Sequence, residues 1–398
     1  MVETSRLASL DDALDATLDA LDTRAVRRRL RPLTSGVGPR VTIGNRSFVQ
    51  LCSNDYLGLA NHPKVTQAAS DALLEYGSGA GSARLVVGTS PPHVALEAAI
   101  AKLKRTESAL VLSSGYQANT GIIPALSGPG DVIFSDTLNH ASIIDGCRLS
   151  RARVEVYGHC DVNHLESLLA SASNARRRFI VTETVFAMDG DLAPLRDLVS
   201  VAKRHNALLV VDEAHATGVF GPTGAGLVEE YELWGSVDVQ IGTLSKAVGA
   251  LGGFVAGSQA LIDTIINSAR TFVFTTALPP SIAAAARAAI GIIADEPALR
   301  TQLWTHTSFL RQKLGSAGYT LERAESPILP IIVGEAASAV ALSDALFECG
   351  VLVLPIRPPT VPDGTARLRV TAMATHTEDD LNIAVEAFVA AGHATGQI

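Results

Sequence analysis

Leu208-Leu-Val-Val-Asp212-Glu-Ala-His215 is a short apolar run that stops abruptly on a carboxylate and, three residues later, an imidazole. A run this apolar and this short reads as a strand buried on both faces of a parallel sheet, and the C-terminal ends of such strands are where α/β sheets bind ligands. Working outward, runs of the same kind recur at Ala109–Leu112, Val132–Phe134, Val154–Tyr157, Phe179–Thr182, Val237–Ile241 and Phe254–Ala256, with helical patterns between them. Pro63 opens one such helix and Gly77 closes it. The alternation predicts an α/β domain with a mostly parallel central sheet.

Beyond Pro279-Pro280 the pattern changes to long alanine-rich helical stretches, then strands near Leu329–Val333, Val351–Leu354 and Ala366–Val370, and a closing helix from about Glu378. This predicts a smaller C-terminal α+β domain. Leucines at 10, 14, 18 and 21 give residues 8–30 one apolar helix face ending in Arg27, Arg28 and Arg29, read as an arm that packs on something else. The expected division is an N-terminal segment 1–55, a large domain 56–280 and a small domain 281–398. With 398 residues and 47% hydrophobic content the chain is long enough for two cores.

A net charge of −8 provides no broad basic field, so nucleic acid and anionic membranes are not expected partners; a small-molecule substrate fits better. No stretch of 18 apolar residues runs without a charge, so no membrane span is expected. Cys52, Cys147, Cys160 and Cys349 form no C-x-x-C pair, which argues against a zinc site or a disulfide framework; no metal and a reducing, cytoplasmic setting are expected. The first 30 residues lack the uninterrupted apolar stretch of a signal peptide.

Four strand ends carry groups suited to one cofactor. Val239-Gln-Ile-Gly-Thr-Leu-Ser-Lys246 runs a buried strand into a hydroxyl-rich turn ending in a lysine. Burial lowers a lysine's pKa and yields the neutral amine that a Schiff base requires, although taken alone Lys246 could equally be a surface lysine. Asp212 is placed to pair with a pyridinium nitrogen, keeping it protonated so that the ring accepts electrons, and His215 to reach a phenolic oxygen. Asp-Glu-Ala-His is also a Walker B string, but no G-x-x-x-x-G-K-[ST] occurs to cradle a nucleotide phosphate. Ser113-Ser-Gly115-Tyr116 follows a strand and opens a helix whose free N–H groups suit a phosphate. His140, at the end of Asp136-Thr-Leu-Asn-His140, could stack on a planar ring. Together these describe a site for pyridoxal 5′-phosphate (PLP).

The residues also resemble the α-oxoamine synthase family of fold type I PLP enzymes over nearly the whole chain. The matching segments are Ser53-Asn-Asp-Tyr-Leu-Gly58, Asn139-His-Ala-Ser-Ile-Ile-Asp-Gly146, Glu183 through Met188-Asp-Gly190, Asp212-Glu-Ala-His215, Thr243-Leu-Ser-Lys246 and Arg367-Leu-Arg369. The resemblance implies a sheet covered by helices on both faces, with Lys246 as the Schiff-base lysine, Asp212 on the pyridine nitrogen, His215 on the phenolic oxygen and His140 over the ring. It adds Glu183 to the cofactor site, gives the phosphate to the Gly115 and Tyr116 amides and to Thr243, and assigns the amino acid carboxylate to Asn54 and Arg369. It further implies a homodimer with composite sites, in which Thr276 reaches the neighbouring subunit's phosphate, and condensation of an amino acid with an acyl-CoA followed by loss of CoA and carbon dioxide.

Within the family, Pro355-Ile-Arg-Pro-Pro-Thr-Val-Pro362 resembles the branch that joins L-alanine to pimeloyl-CoA on the route to biotin; Arg357 or Arg27 would meet the acidic end of the acyl chain. Arg357 could instead only brace a loop. Ala187 and Ala225 depart from the family pattern, standing where Ser and Arg are common.

Overall fold

The computed structural model describes residues 9–321 and 324–398; residue 8, where the sequence reading starts its N-terminal helix, lies outside them. Thirteen strands among the described residues are β1 Arg40–Ile43, β2 Arg46–Gln50, β3 Ser108–Leu112, β4 Val132–Asp136, β5 Arg153–Tyr157, β6 Arg178–Glu183, β7 Leu208–Asp212, β8 Val239–Thr243, β9 Gly253–Gly257, β10 Ile328–Gly334, β11 Val351–Leu352, β12 Pro355–Ile356 and β13 Ala366–Thr371.

The central sheet has the order β3-β9-β8-β7-β6-β4-β5. All its strands run parallel except β9, which is antiparallel to both β3 and β8. Period-two alternation sorts its side chains into two layers. Leu110, Ile133, Val181, Val210, Ile241 and Val255 point to one face, where they meet residues of the helices Gly115–Leu126, Ala141–Leu149 and Gln259–Ser268. Val111, Phe134, Ile180, Leu209 and Val211 point to the other, against residues of Pro91–Lys104, Val162–Ser171 and Leu195–Arg204. Both faces of the strands inside the sheet are therefore covered, whereas the edge strand β5 keeps Arg153, Val154 and Val156 exposed.

Parallel strands deliver their C-terminal ends to one edge of the sheet. Asp136, Glu183, Asp212 and Thr243 are the last residues of β4, β6, β7 and β8, and the Ser113–Gly115 turn follows β3 at that same edge. Glu183 and Asp212 are register partners on neighbouring strands. Helix Gly115–Leu126 begins there with the Ser114 hydroxyl accepting from the Gln117 N–H.

The C-terminal sheet has the order β10-β13-β12, antiparallel throughout. A third sheet joins the hairpin β1–β2 to β11, so residues 40–50 are tied to the C-terminal part of the chain by strand pairing. The hairpin, which the sequence reading did not include, turns at Gly44 with φ +60°, a conformation glycine adopts without steric cost. Thr371, at the end of β13, donates its N–H to the Leu51 carbonyl, placing Arg367 and Arg369 beside the residues that follow β2. The N-terminal helix spans Leu10–Thr23 and buries none of its residues in this chain.

Candidate active site

Lys246 lies just past β8 and is half-buried. Burial pulls its ammonium down to about 8, against the opposing attraction of the Asp212 and Glu183 carboxylates. Burial and the neighbouring charge of Asp212 push the Glu183 carboxyl up to about 8. Glu183 therefore holds a proton at neutral pH where Asp212 faces it, as two adjacent carboxyls at a strand edge cannot both ionise cheaply.

Asp212 is fixed by three neighbours. Its Oδ2 accepts from the Asn119 amide at 2.7 Å and its Oδ1 from the Ala214 N–H at 2.8 Å, while its own carbonyl accepts from the Thr184 N–H at 2.9 Å. The same Asn119 amide donates to Ser142 Oγ at 2.9 Å, and Ser142 Oγ lies 2.8 Å from His140 Nδ1. One hydrogen-bonded chain thus links the imidazole of His140 to the carboxylate of Asp212. Desolvation, and then the charge of Lys246, lower the His140 pKa, which disfavours a competing cation there.

His215 is enclosed, and burial drives its pKa well below the usual value. Its Nδ1 is 2.8 Å from the Tyr56 hydroxyl, which in turn accepts from Arg369 Nη2 at 3.1 Å. The Tyr56 proton is thereby directed to Nδ1, leaving the imidazole proton on Nε2 as a donor. Arg369 also donates Nη1 to Asn54 Oδ1 at 2.9 Å and Nε to the Ala187 carbonyl at 2.6 Å. Asn54 and Arg369, expected to act together, are hydrogen-bonded partners.

A PLP site needs a cation-free amine, an anion, an open phosphate cradle and buried groups awaiting a partner. Glu183 Oε1 and Asn119 Oδ1 are buried with no hydrogen-bond partner among the described residues. A Cβ added at Gly115 would come within 3.1 Å of the Thr243 side chain, so only glycine leaves that turn open beside the first free amides of the helix. The residues present fit the cofactor. The Thr243 hydroxyl donates to the Gly252 carbonyl at 2.9 Å, and the Tyr116 hydroxyl is bonded to Asp145. Thr276 sits in an isolated bridge with Ala83, and its carbonyl accepts from Ser113 Oγ at 3.3 Å.

Beside these groups opens a cavity of about 850 Å³, bounded by the turn Thr137–Ala141, by Glu183, by the loop Phe186–Asp189 and by Pro358–Pro362. The arm contributes Arg24 to its wall. Arg27 does not line it: its Nη1 is paired with Asp22 at 2.6 Å. Arg357 does not line it either, and its guanidinium donates to the Ala25 and Arg27 carbonyls, the bracing role. Arg28 donates to Thr360 Oγ1 at 3.1 Å, and Thr360 is in the cavity wall. The sequence reading missed Asn119, Ser142, Tyr56, Arg24 and Thr360. All but Arg24 lie inside or beside quoted motifs, but only the fold reveals whom they touch.

At the two departures the contact is made by the main chain, and nothing in the structure explains the alanine side chains themselves. Position 187 contributes its backbone carbonyl to Arg369, and position 225 its carbonyl to Lys104 at 2.5 Å, so each alanine keeps a main-chain contact.

Residues 46–388 match the model of the family described as Aminotransferase class I and II. An 8-amino-7-oxononanoate synthase of Anaeromyxobacter dehalogenans is 52% identical over 365 residues, covering 92% of this chain and 92% of that one. Another from Geobacter sulfurreducens is 50% identical, covering 95% of this chain and 97% of its own. Among solved structures, a serine palmitoyltransferase of S. paucimobilis with a PLP–myriocin aldimine bound superposes with a TM-score of 0.94 at 34% identity, over 99% of this chain and 100% of that one. An 8-amino-7-oxononanoate synthase from Francisella tularensis superposes at 0.76 with 29% identity, over 88% of this chain and 99% of its own. The sequence, the strand-edge site and these relatives agree: the chain belongs to the class I and II aminotransferase family, on its α-oxoamine synthase branch.

Proposed function

We propose that this chain is a PLP-dependent acyltransferase that condenses L-alanine with pimeloyl-CoA, releasing 8-amino-7-oxononanoate, CoA and carbon dioxide. The observation that carries the reading is the half-buried Lys246, its pKa brought down to about 8, beside Asp212 and Glu183 and near the Arg369–Asn54 pair. The curated relatives that bear this activity as their name supply the substrate identities.

PLP, when bound, supplies an electron sink for charge developing at the amino acid's α-carbon. Asp212, held by Asn119, keeps a proton on the ring nitrogen. His215 offers its Nε2 proton to the phenolic oxygen. Arg369 and Asn54 take the amino acid carboxylate as a fork and its partner, which orients the α C–H bond. Lys246, once its amine is neutral, accepts the α-proton. The cavity lined by Leu138, Met188 and Val361 takes the acyl chain, with Arg24 and Thr360 in its wall toward the arm.

The working assembly is a homodimer in a reducing, cytoplasmic setting. Val86, Val87 and Phe274 are 73%, 79% and 72% exposed in the single chain, an apolar surface adjoining the Ala83–Thr276 bridge that a second copy would cover. Thr276 then lies at that interface, near the neighbouring subunit's phosphate. All four cysteines are free, and no helix among the described residues is long and apolar enough to cross a membrane.

The test is a panel of L-alanine, glycine and L-serine against several acyl-CoA thioesters, reading released CoA. Faster turnover of L-alanine with pimeloyl-CoA supports the proposal. A preference for glycine rejects it, and a preference for serine with a long acyl chain would assign the chain to the serine palmitoyltransferase activity of its structural neighbours.

A further inference from the structure

Behind the cavity wall, His159 follows β5 and sits between two carboxylates: Nδ1 is 3.0 Å from Asp136 Oδ1 and Nε2 is 2.7 Å from Asp191 Oδ2. Asp136 is the last residue of β4, and its carboxylate also accepts from the Leu138 and Cys160 N–H groups at 2.8 Å each, which shapes the turn leading to His140. Asp191 follows the loop Phe186–Asp189 of the opposite wall and is tied back to it. Its carbonyl accepts from the Phe186 N–H at 3.0 Å, and Gly190, at φ +72°, returns its own N–H to the Phe186 carbonyl at 2.9 Å. That loop supplies the Ala187 carbonyl to Arg369 and the Asp189 carboxylate to Arg367 at 2.6 Å. The His159 ring also packs edge-on against Phe186, a cavity residue, with centroids 4.4 Å apart.

We propose that His159 is a positioning residue that, as an imidazolium shared by Asp136 and Asp191, ties the His140 turn to the Phe186–Asp191 loop and so sets the shape of the acyl cavity. Burial works against the charged ring, but the two carboxylate hydrogen bonds outweigh it and lift the imidazole to about 12. Two carboxylates at one ring require a doubly protonated partner, because a neutral imidazole has only one N–H to give. For the same reason the Asp136, His159 and Cys160 cluster does not act as a metal site: an imidazolium has no lone pair for a metal. The inference rests on the cavity being the acyl site, as proposed above.

The experiment compares wild type, His159→Asn, Asp191→Asn and the double variant, all as PLP-loaded protein, using pimeloyl-CoA affinity by calorimetry and steady-state kinetics. Both single variants are expected to keep the cofactor absorbance and L-alanine-dependent spectral change while the pimeloyl-CoA Kd and KM rise roughly tenfold and kcat changes less. The double variant, which removes the stranded charge of Asp191, should regain thermal stability but not affinity. Ring ¹⁵N NMR of the wild type should show both nitrogens of one histidine still protonated at pH 9, a readout that survives even if a variant fails to fold. Unchanged Kd and KM in a folded single variant, affinity restored in the double variant, a neutral ring at pH 9, or a stoichiometric metal lost with His159 would each overturn the proposal. If the wild type does not bind pimeloyl-CoA, the functional reading itself has failed.

Discussion

A desolvated amine whose pKa is drawn down to about 8 from the usual lysine range has a direct consequence for cofactor loading. Only the neutral amine attacks an aldehyde, so the rate at which apoprotein captures PLP should rise with pH and level off above about 8. A rate still climbing toward pH 10 would mean that Lys246 is solvated. At Arg369, whose Nε and both Nη groups each have a separate partner, a lysine cannot reproduce the fork. Arg369→Lys should raise the KM for the amino acid roughly 10- to 100-fold, the loss of one charge-assisted hydrogen bond being worth about 1.5–3 kcal/mol. Substrate-binding and stopped-flow spectra would show whether the loss lies in the amino acid step. At this scale the sequence was most informative about side chains whose chemistry is unusual for their position, such as Lys246 and Asp212. It was least informative about amides and hydroxyls such as Asn119, Ser142 and Tyr56, because their roles depend entirely on which strand end they face. Arg27 and Arg357 mark the same limit. The family resemblance singled them out, and their guanidinium groups point to Asp22 and to carbonyls of the arm.

The elements behind the site are held by contacts that the cofactor does not touch. Lys104, the last residue of the helix Pro91–Lys104, and Glu213, next to Asp212, form a fully buried ion pair at 2.7 Å, with Thr217 Oγ1 and the Ala225 carbonyl completing the ammonium's partners. Breaking such a pair from one side strands a charge in the interior. Lys104→Met should therefore cost about 3–5 kcal/mol, and Lys104→Met with Glu213→Gln much less. Thermal unfolding of the two variants measures the difference; equal losses would show that the pair's charge is not what matters. Gly115→Ala should weaken PLP affinity with little effect on fold, since its Cβ would crowd Thr243 at the mouth of the phosphate cradle. Most of these elements were legible because burial on both faces writes a continuous apolar run. The antiparallel direction of β9 was not legible, since a buried run looks the same in either direction. The hairpin β1–β2 was missed because its strands are short and half polar, although Gly44-Asn45 between them is a turn signal.

For the whole molecule, six parallel strands bring Lys246, Asp212, Glu183, Thr243 and the Gly115 turn to one sheet edge, and β13 lowers Arg369 onto it from the C-terminal part of the chain. The chain's two ends meet in the sheet β1-β2-β11, so a division into independent N- and C-terminal pieces would cut through strand pairing. The exposed apolar surface at Val86, Val87 and Phe274 predicts a dimer: sedimentation should find two chains per particle, and Val86→Asp with Val87→Asp should yield monomers with little activity. Active monomers would exclude composite sites. The account as a whole depends on Lys246 being the residue that carries PLP. Reduction of the PLP-loaded protein with borohydride, followed by peptide mapping by mass, is predicted to place one pyridoxyl phosphate group on Lys246 and none elsewhere; an unmodified Lys246, or a label on another lysine, would contradict it.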